Sequence, residues 1–368
     1  MSKILLIGNS GLKKNSLDGQ TIKVRLYLKK IRDEGFDVVF IDLEGFAKRP
    51  ISTLYSIKKN IRTCDRIVLL TAERGSKILI PFINFINQSH KKPFIFPLVG
   101  ISVLHYSIDK LSEKDKFDFL INGNYSLCKV NKNLITQLKK ITYILPETDT
   151  LTSTFTNFYG LSNVHQLNNF RESKQNRQSS YLKKGLRLVY ISRVMAVKGV
   201  FDILKVIKCL NNEGNDVYLD IYGQKKFNDE ENNAFDSYLD GKFISYKGTI
   251  QNSEVVDVIS RYDLFVFPTR YHGEGTPGVI AEALIAGTPI LTSDFLQARF
   301  LLKDGVDSIF YKMFDKEDLK NKLIKIINNK DLLNTIREGA IEAGKKFTYE
   351  YERTNFLKYV CGVDETEL

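Results

Sequence analysis

Apolar positions along this chain fall into two successive series of short dense runs separated by amphipathic stretches. Lys3–Gly8 (KILLIG) reads as a buried strand, and after a glycine-containing loop Val24, Tyr27, Leu28 and Ile31 recur at i, i+3, i+4 and i+7. That spacing predicts a helix from about Gln20 to Glu34, stopped by Gly35, with Phe36–Asp42 (FDVVFID) as the second strand. Further strands are predicted at Arg66–Thr71 and Phe94–Val99, with a helix over Ile78–Ser89 between them. Two short strands follow at Asp118–Ile121 and Ile141–Leu145, with helix between, and Val164–Leu167 ends the series. Residues 171–184 (RESKQNRQSSYLKK) then carry almost no apolar side chains and mark a linker.

The second series opens with strand Leu186–Ile191, helix Val200–Asn212 and strand Val217–Tyr222, which Gly223 ends. Strand Phe243–Lys247, helix Ser253–Arg261, strand Leu264–Phe267, helix Pro277–Ala286 and strand Pro289–Thr292 come next. Helices at about Asp315–Asn328, Leu332–Gly344 and Tyr349–Val360 complete it. Strands alternating with helices in this way give parallel sheets. The expected fold class is therefore α/β, with two Rossmann-like doubly wound domains facing across a cleft, where ligands of such sheets bind. The expected bounds are 1–170 for the first domain, 171–185 for the linker, 186–347 for the second domain and 348–368 for a C-terminal helix packing back towards the first.

Composition agrees with a globular chain: 43% apolar and 26% charged residues over 368 positions, too many for one ordinary core. Charge adds an asymmetry. Residues 1–185 hold 30 Lys+Arg against 15 Asp+Glu, whereas residues 186–368 hold 24 against 28. A basic first half suits an anionic ligand or surface, and equally suits solvated helix faces. The four cysteines are widely spaced and suggest neither a disulfide framework nor a zinc site; Cys64 and Cys209 read as buried thiols. No run is long enough for a membrane-spanning helix or a signal peptide, so a cytoplasmic protein is expected, with peripheral membrane contact open to it. Gly8, Gly11 and Gly19 do not spell G-x-G-x-x-G, which sets nicotinamide binding aside.

The stretch Arg270–Asp294 (RYHGEGTPGVIAEALIAGTPILTSD) carries the chemistry. Thr276 reads as an N-cap and Pro277 as the first helical residue. The helix behind them is apolar all round except for Glu282, and a lone buried carboxylate needs a partner. Gly273, Gly275 and Gly278 keep the backbone bare at the helix N-terminus, which suits the approach of an anion. Glu274 and Glu282 stand as Glu-x(7)-Glu, so both can face one ligand. Folding alone would give a surface loop and a core helix whose Glu282 reaches the edge. Upstream, Arg193 and Lys198 follow the first strand of the second series, either as exposed charges or placed for a diphosphate.

In order, SRVMAVKG, DIYGQ, ISYKGTIQ, YDLFVFPT and EGTPGVIAEALIAGTPILTSD resemble the motif series of the retaining glycosyltransferases of family 4, the GT-B fold, surface-polysaccharide type. The likeness runs over Leu186–Asp294, and VHQLNNF resembles that family's approach to its linker. Ser192 replaces the usual glycine before the arginine, and Thr276-Pro277 replaces a common phenylalanine-glycine. The resemblance implies that Arg193 and Lys198 hold a donor diphosphate, that Glu274 contacts the donor sugar, and that Glu282 accepts from the ribose hydroxyls. It implies that Gly275, Thr276, Pro277 and Gly278 present the helix terminus to sugar and phosphate, and that Gly223 and Thr249 border the base. Gly19 would approach the donor from the first domain. His272 would touch the donor or cap its loop, and His105 would stand for the family's cleft histidine or be structural. No cofactor is implied beyond a nucleotide-sugar co-substrate, UDP-sugar by family habit, and no metal, since no D-x-D pair occurs. The expected partners are that donor, a saccharide or polyprenyl-linked acceptor and an anionic membrane surface, with no nucleic acid. The expected activity is metal-independent, configuration-retaining hexosyl transfer in surface polysaccharide or glycolipid biosynthesis. A nucleotide-sugar epimerase of the same fold and a non-enzymatic anion- or membrane-binding protein are the alternatives.

Overall fold

A computed structural model of the chain describes residues 2–13, 18–100, 102–129, 131–172, 185–271, 274 and 276–367, and of residues 102, 105, 106, 330 and 365 the backbone only. The chain forms two compact units, Met1–Asn169 with Glu352–Leu368, and Phe170–Tyr351.

In the first unit β1 (Lys3–Gly8), α1 (Gly19–Asp33), β2 (Asp37–Asp42), α2 (Pro50–Ile61), β3 (Arg66–Leu70), α3 (Glu73–Asn87) and β4 (Phe94–Pro97) alternate. Three helices, α4 (His105–Ile108), α5 (Glu113–Ile121) and α6 (Lys132–Leu138), then lead to β5 (Tyr143–Leu145) and α7 (Asp149–Asn157). The sheet order is β2-β1-β3-β4-β5 and every pair is parallel. β1 lies between two strands, Ile4 facing Val38 on one side and Arg66 on the other, with Ile4 to Ile7 fully buried. Burial on both faces explains why that segment reads as an unbroken apolar run.

Asp118–Ile121, expected as a strand, belongs to helix α5. The Ser112 hydroxyl caps it by accepting from Asp115 N at 3.1 Å, and Phe119 and Leu120 face the core. A local N-cap outweighs a four-residue apolar run with no alternation. Helices α2 and α7 stand where the apolar pattern assigned none. After residue 351 the chain returns to the first unit, where Phe356 meets Tyr27 edge to face at 5.2 Å and Arg353 forks onto Glu34 at 2.8 and 2.6 Å.

The second unit contains β6 (Leu186–Ile191), α8 (Val200–Asn212), β7 (Val217–Tyr222), α9 (Asp229–Asp236), β8 (Ile244–Gly248), α10 (Val255–Ile259) and β9 (Leu264–Phe267). It continues with α11 (Gly278–Ile285), β10 (Ile290–Ser293), α12 (Ala298–Leu301), β11 (Ser308–Tyr311), α13 (Lys316–Asn328) and α14 (Lys330–Gly344). Helix α15 (Tyr349–Asn355) carries the chain out of it. Its six strands, all parallel, lie in the order β11-β10-β9-β6-β7-β8. Numbered from β6, this is the dinucleotide-fold order 3-2-1-4-5-6 read from the far edge, whose ligands bind where the order reverses. That point lies between β6 and β9. One apolar cluster includes residues of α8, β6, β7 and α13; another includes residues of β9, α10 and α11.

Two residues assigned to the first domain and the linker belong to this unit. Phe170 packs on Tyr349 at 5.2 Å, and Arg171, 5% exposed, bridges in parallel to Thr348. Arg171 is a core residue because its charge is matched inside the unit, as shown below. Residues 173–184 of the expected linker lie outside the described residues.

Candidate functional site

The point where the second sheet reverses is built by two loops, one following β6 and one following β9. The first turns once as a 3-10 helix, Ala196–Lys198, and ends at Gly199 in the left-handed conformation, φ 73°. A Cβ on Gly199 would stand 1.7 Å from the carbonyl oxygen of Pro268, so only glycine allows the two loops to meet. Arg270 N donates to Val197 O at 2.9 Å and the Arg270 guanidinium forks onto Asp202, which ties the loops together from the other side.

This clamp puts the Lys198 ammonium against the Glu274 carboxylate, with side chains 5% and 11% exposed. The same Oε2 accepts from Thr269 Oγ1 at 3.1 Å, and Thr269 Oγ1 accepts from Tyr271 N at 3.2 Å. The Tyr271 ring lies 4.8 Å from Lys198 Nζ. Ser293, at the end of β10, donates its hydroxyl to Thr269 O at 2.6 Å and fixes the strand end behind the pair. Thr269 and Tyr271 were not singled out in the sequence; a hydroxyl and an aromatic ring flanking Glu274 were the signal available.

Helix α11 starts at Gly278. Pro277, extended at φ −65° and ψ 121°, occupies the N-cap position with no side-chain cap bond, so the cap falls one residue later than Thr276. Proline fixes φ but not ψ, and here ψ keeps Pro277 outside the helix. Gly287 closes the helix with φ 63°, and Gly287 N donates to Leu284 O at 2.9 Å. Glu282 is buried on this helix and accepts from Arg171 Nε at 2.9 Å, both side chains being 7% exposed or less. Burial pushes the Glu282 carboxyl above the ordinary carboxylate range, and the Arg171 guanidinium offsets part of that rise. The partner demanded by a carboxylate in an apolar helix is thus a residue of the chain itself. Gly278 completes the arrangement, since a Cβ there would stand 1.6 Å from Arg171 Nη2.

Arg193 extends from the loop after β6 and is exposed. Gly223, at φ 133°, packs against the backbone of Ser192, whose carbonyl oxygen would lie 1.8 Å from a Cβ. Gly223 N donates to Gly248 O at 2.8 Å, and the Tyr246 hydroxyl donates to Gly223 O at 2.8 Å, so the Arg193 loop, Gly223 and exposed Thr249 lie along one backbone seam. In the first unit Gly19 opens α1 on the surface. Its neighbour Gln20 lines a cavity of about 410 Å³ at the ends of β1, β2 and β3, with Asn9, Leu43, Phe46, Thr71 and Arg74. His272 and Gly275 lie outside the described residues, as does the side chain of His105. Among the described residues no group of three or more His, Cys, Asp or Glu could hold a metal ion, and no helix is long and apolar enough to cross a membrane.

A buried lysine–glutamate pair and an exposed arginine at a reversal point can receive a phosphorylated ligand by exchanging an internal for an external anion. Residues 172–344 match the family model described as glycosyl transferases group 1. The fold is GT-B. Over 99% of this chain and 100% of its own, the structure of Anabaena Alr3699/HepE in complex with UDP superposes with a TM-score of 0.71 at 13% identity. Among curated sequences, the capsular polysaccharide biosynthesis glycosyltransferase CapM of Staphylococcus aureus is 26% identical over 52% of this chain and 50% of its own. The putative teichuronic acid biosynthesis glycosyltransferase TuaC of Bacillus subtilis is 28% identical over 40% of this chain and 34% of its own. The chain therefore spans half or less of the length of these two curated relatives.

Proposed function

We propose that this chain is a nucleotide-sugar-dependent glycosyltransferase of the retaining GT-B kind, moving a hexose-type sugar from a UDP-sugar onto a saccharide or lipid-linked acceptor of a surface polysaccharide. The observation that carries the reading is the contact of Lys198 with Glu274 at the reversal point of the second sheet. Support for the wider context comes from CapM and TuaC, both named for polysaccharide biosynthesis, and support for uridine from the UDP bound to HepE.

In this reading the donor diphosphate draws the Lys198 ammonium from Glu274 and adds Arg193. The sugar–oxygen bond breaks towards the nucleoside diphosphate, and the two cations stabilise the charge that grows on it. Glu274, released from Lys198, faces the donor sugar. An acceptor hydroxyl attacks on the face the diphosphate leaves, its proton passing to a diphosphate oxygen, and the anomeric configuration is kept. Gly223 and Thr249 border the base, and Glu282 accepts from the ribose. The acceptor is assigned to the basic first unit, whose cavity has the volume of a small-ligand pocket.

Membrane contact is part of the same proposal. Residues 45–64 contain Lys48, Arg49, Lys58, Lys59 and Arg62 and no acid. On α2, Ile51 and Tyr55 are 84% and 69% exposed, and on α3, which packs beside it, Phe85 is 74% exposed. Apolar side chains among cations suit the surface of an anionic bilayer.

Calorimetric titration with UDP, GDP, ADP and dTDP tests the donor reading. Binding of one of them, weakened by Lys198→Ala, is expected. Binding of none would overturn it.

A further inference from the structure

The Arg171–Glu282 pair lies beside the donor-binding machinery without being given a task by it. We infer that Arg171 is a positioning residue: its guanidinium fixes one oxygen of the Glu282 carboxylate so that the other is presented, ionised, to the ribose hydroxyls of the nucleotide. The inference rests on the donor reading above, in which Glu282 meets the ribose.

Four observations lead to it. Arg171 Nε donates to Glu282 Oε1 at 2.9 Å, and among the described residues none donates to Oε2. Arg171 is itself held firmly: its N donates to Phe347 O at 2.7 Å, its O accepts from Tyr349 N at 2.9 Å, and its Nη1 donates to Phe170 O at 2.9 Å. The first turn of α11 is shaped for the guanidinium, because Nη2 occupies the space a side chain at 278 would need. Finally, the residue stands where the chain enters the second unit, far in sequence from the helix it serves.

The physical need is clear. A carboxylate on an apolar helix tends to take up a proton, and a protonated acid accepts poorly from a hydroxyl. A guanidinium counters that tendency and, being planar and forked, also sets the direction of the carboxylate. An ammonium in its place keeps charge without direction.

The test compares UDP with 2′,3′-dideoxy-UDP, which lacks both hydroxyls, by calorimetric titration from about pH 5 to about pH 9. The wild-type chain should prefer UDP by about tenfold or more, the worth of a hydrogen bond to a charged group. Glu282→Gln should reduce that preference and Arg171→Gln should bring it close to one at neutral pH. Loss of Arg171 moves the Glu282 proton affinity upward, so any preference left in Arg171→Gln should appear only as pH rises, and should vanish on acidification earlier than in wild type. Arg171→Lys should keep the wild-type pH range with a smaller preference. Gly278→Ala, which retains both charges and displaces the guanidinium, should act like a weak Arg171 variant and serves if Arg171→Gln does not fold.

Equal weakening of both ligands by the Arg171 and Gly278 variants, with the preference and its pH range unchanged, would show a merely structural pair and overturn the inference. A wild-type chain that binds UDP without preferring it to the dideoxy form would overturn the ribose role of Glu282 and the inference with it. No UDP binding by wild type would overturn the uridine donor reading first, which separates the two failures.

Discussion

An ammonium as enclosed as that of Lys198 needs an anion beside it, and in this structure the anion is Glu274. On the proposed reading the pair is a switchable contact: a donor diphosphate would replace the carboxylate and leave it facing the sugar. Lys198→Ala and Arg193→Ala should each weaken nucleoside diphosphate binding by about 1.5–3 kcal/mol, roughly tenfold to a hundredfold, read by calorimetric titration. Similar affinity in both variants would remove these residues from the site. Thiol chemistry checks burial independently. Cys361 is buried, its thiol pushed up to about 12, and Cys64 is buried with its thiol also raised, whereas Cys128 and Cys209 are half-buried. At about pH 8 an alkylating reagent should label Cys128 and Cys209 first and reach Cys64 and Cys361 only on unfolding, as mass spectrometry would show. Cys209, expected as buried, is half-buried because it sits on the partly solvated side of α8, its Sγ beside Glu213 at 3.3 Å. Lys198, Glu274 and Glu282 were legible as residues because each breaks a local rule, a charge next to a glycine turn or inside an apolar helix. Arg171 was not, since it begins a polar run and its partner lies 111 positions away.

At the scale of elements, the glycine turns hold the site together. Gly199→Ala combines a left-handed backbone with a 1.7 Å approach to Pro268 O, and should cost at least about 2 kcal/mol. In a unit of this size that lowers the melting temperature by several degrees, about 2–4 °C per kcal/mol, in a calorimetric scan. An unchanged melting temperature would mean that the loops after β6 and β9 are not locked. The strands and long helices around these turns could be read from periodicity because burial on two faces, or on one stripe, leaves a regular trace. α5 could not: a serine cap and two buried residues decided it over the short run Asp118–Ile121. Helix α9 was likewise invisible to apolar spacing, since it buries Phe235 and is set by a capping box between Asn228 and Glu231.

For the molecule as a whole, charge and exposure single out the first unit. Helix α2 carries Lys58 and Lys59 with no acid and exposes Ile51 and Tyr55, and α3 exposes Ile78 and Phe85. The aromatic segment Thr154–Gly160 buries Phe155, Phe158 and Tyr159 in the core. Flotation with vesicles of phosphatidylcholine, with and without phosphatidylglycerol, should carry the chain only on the anionic vesicles, less so at high salt. The triple variant Ile51→Ser, Tyr55→Ser, Phe85→Ser should reduce that binding severalfold; flotation unaffected by lipid charge and by these substitutions would contradict a docking face on α2 and α3.

Donor turnover tests the central claim most directly. Purified chain mixed with UDP-, GDP-, dTDP- and ADP-sugars, with a lipid-linked saccharide mixture as acceptor, should release nucleoside diphosphate from one donor. Glu274→Ala, folded as judged by circular dichroism, should release none. Release at the wild-type rate by that variant, or no release from any of the four donors by the wild-type chain, would contradict the account.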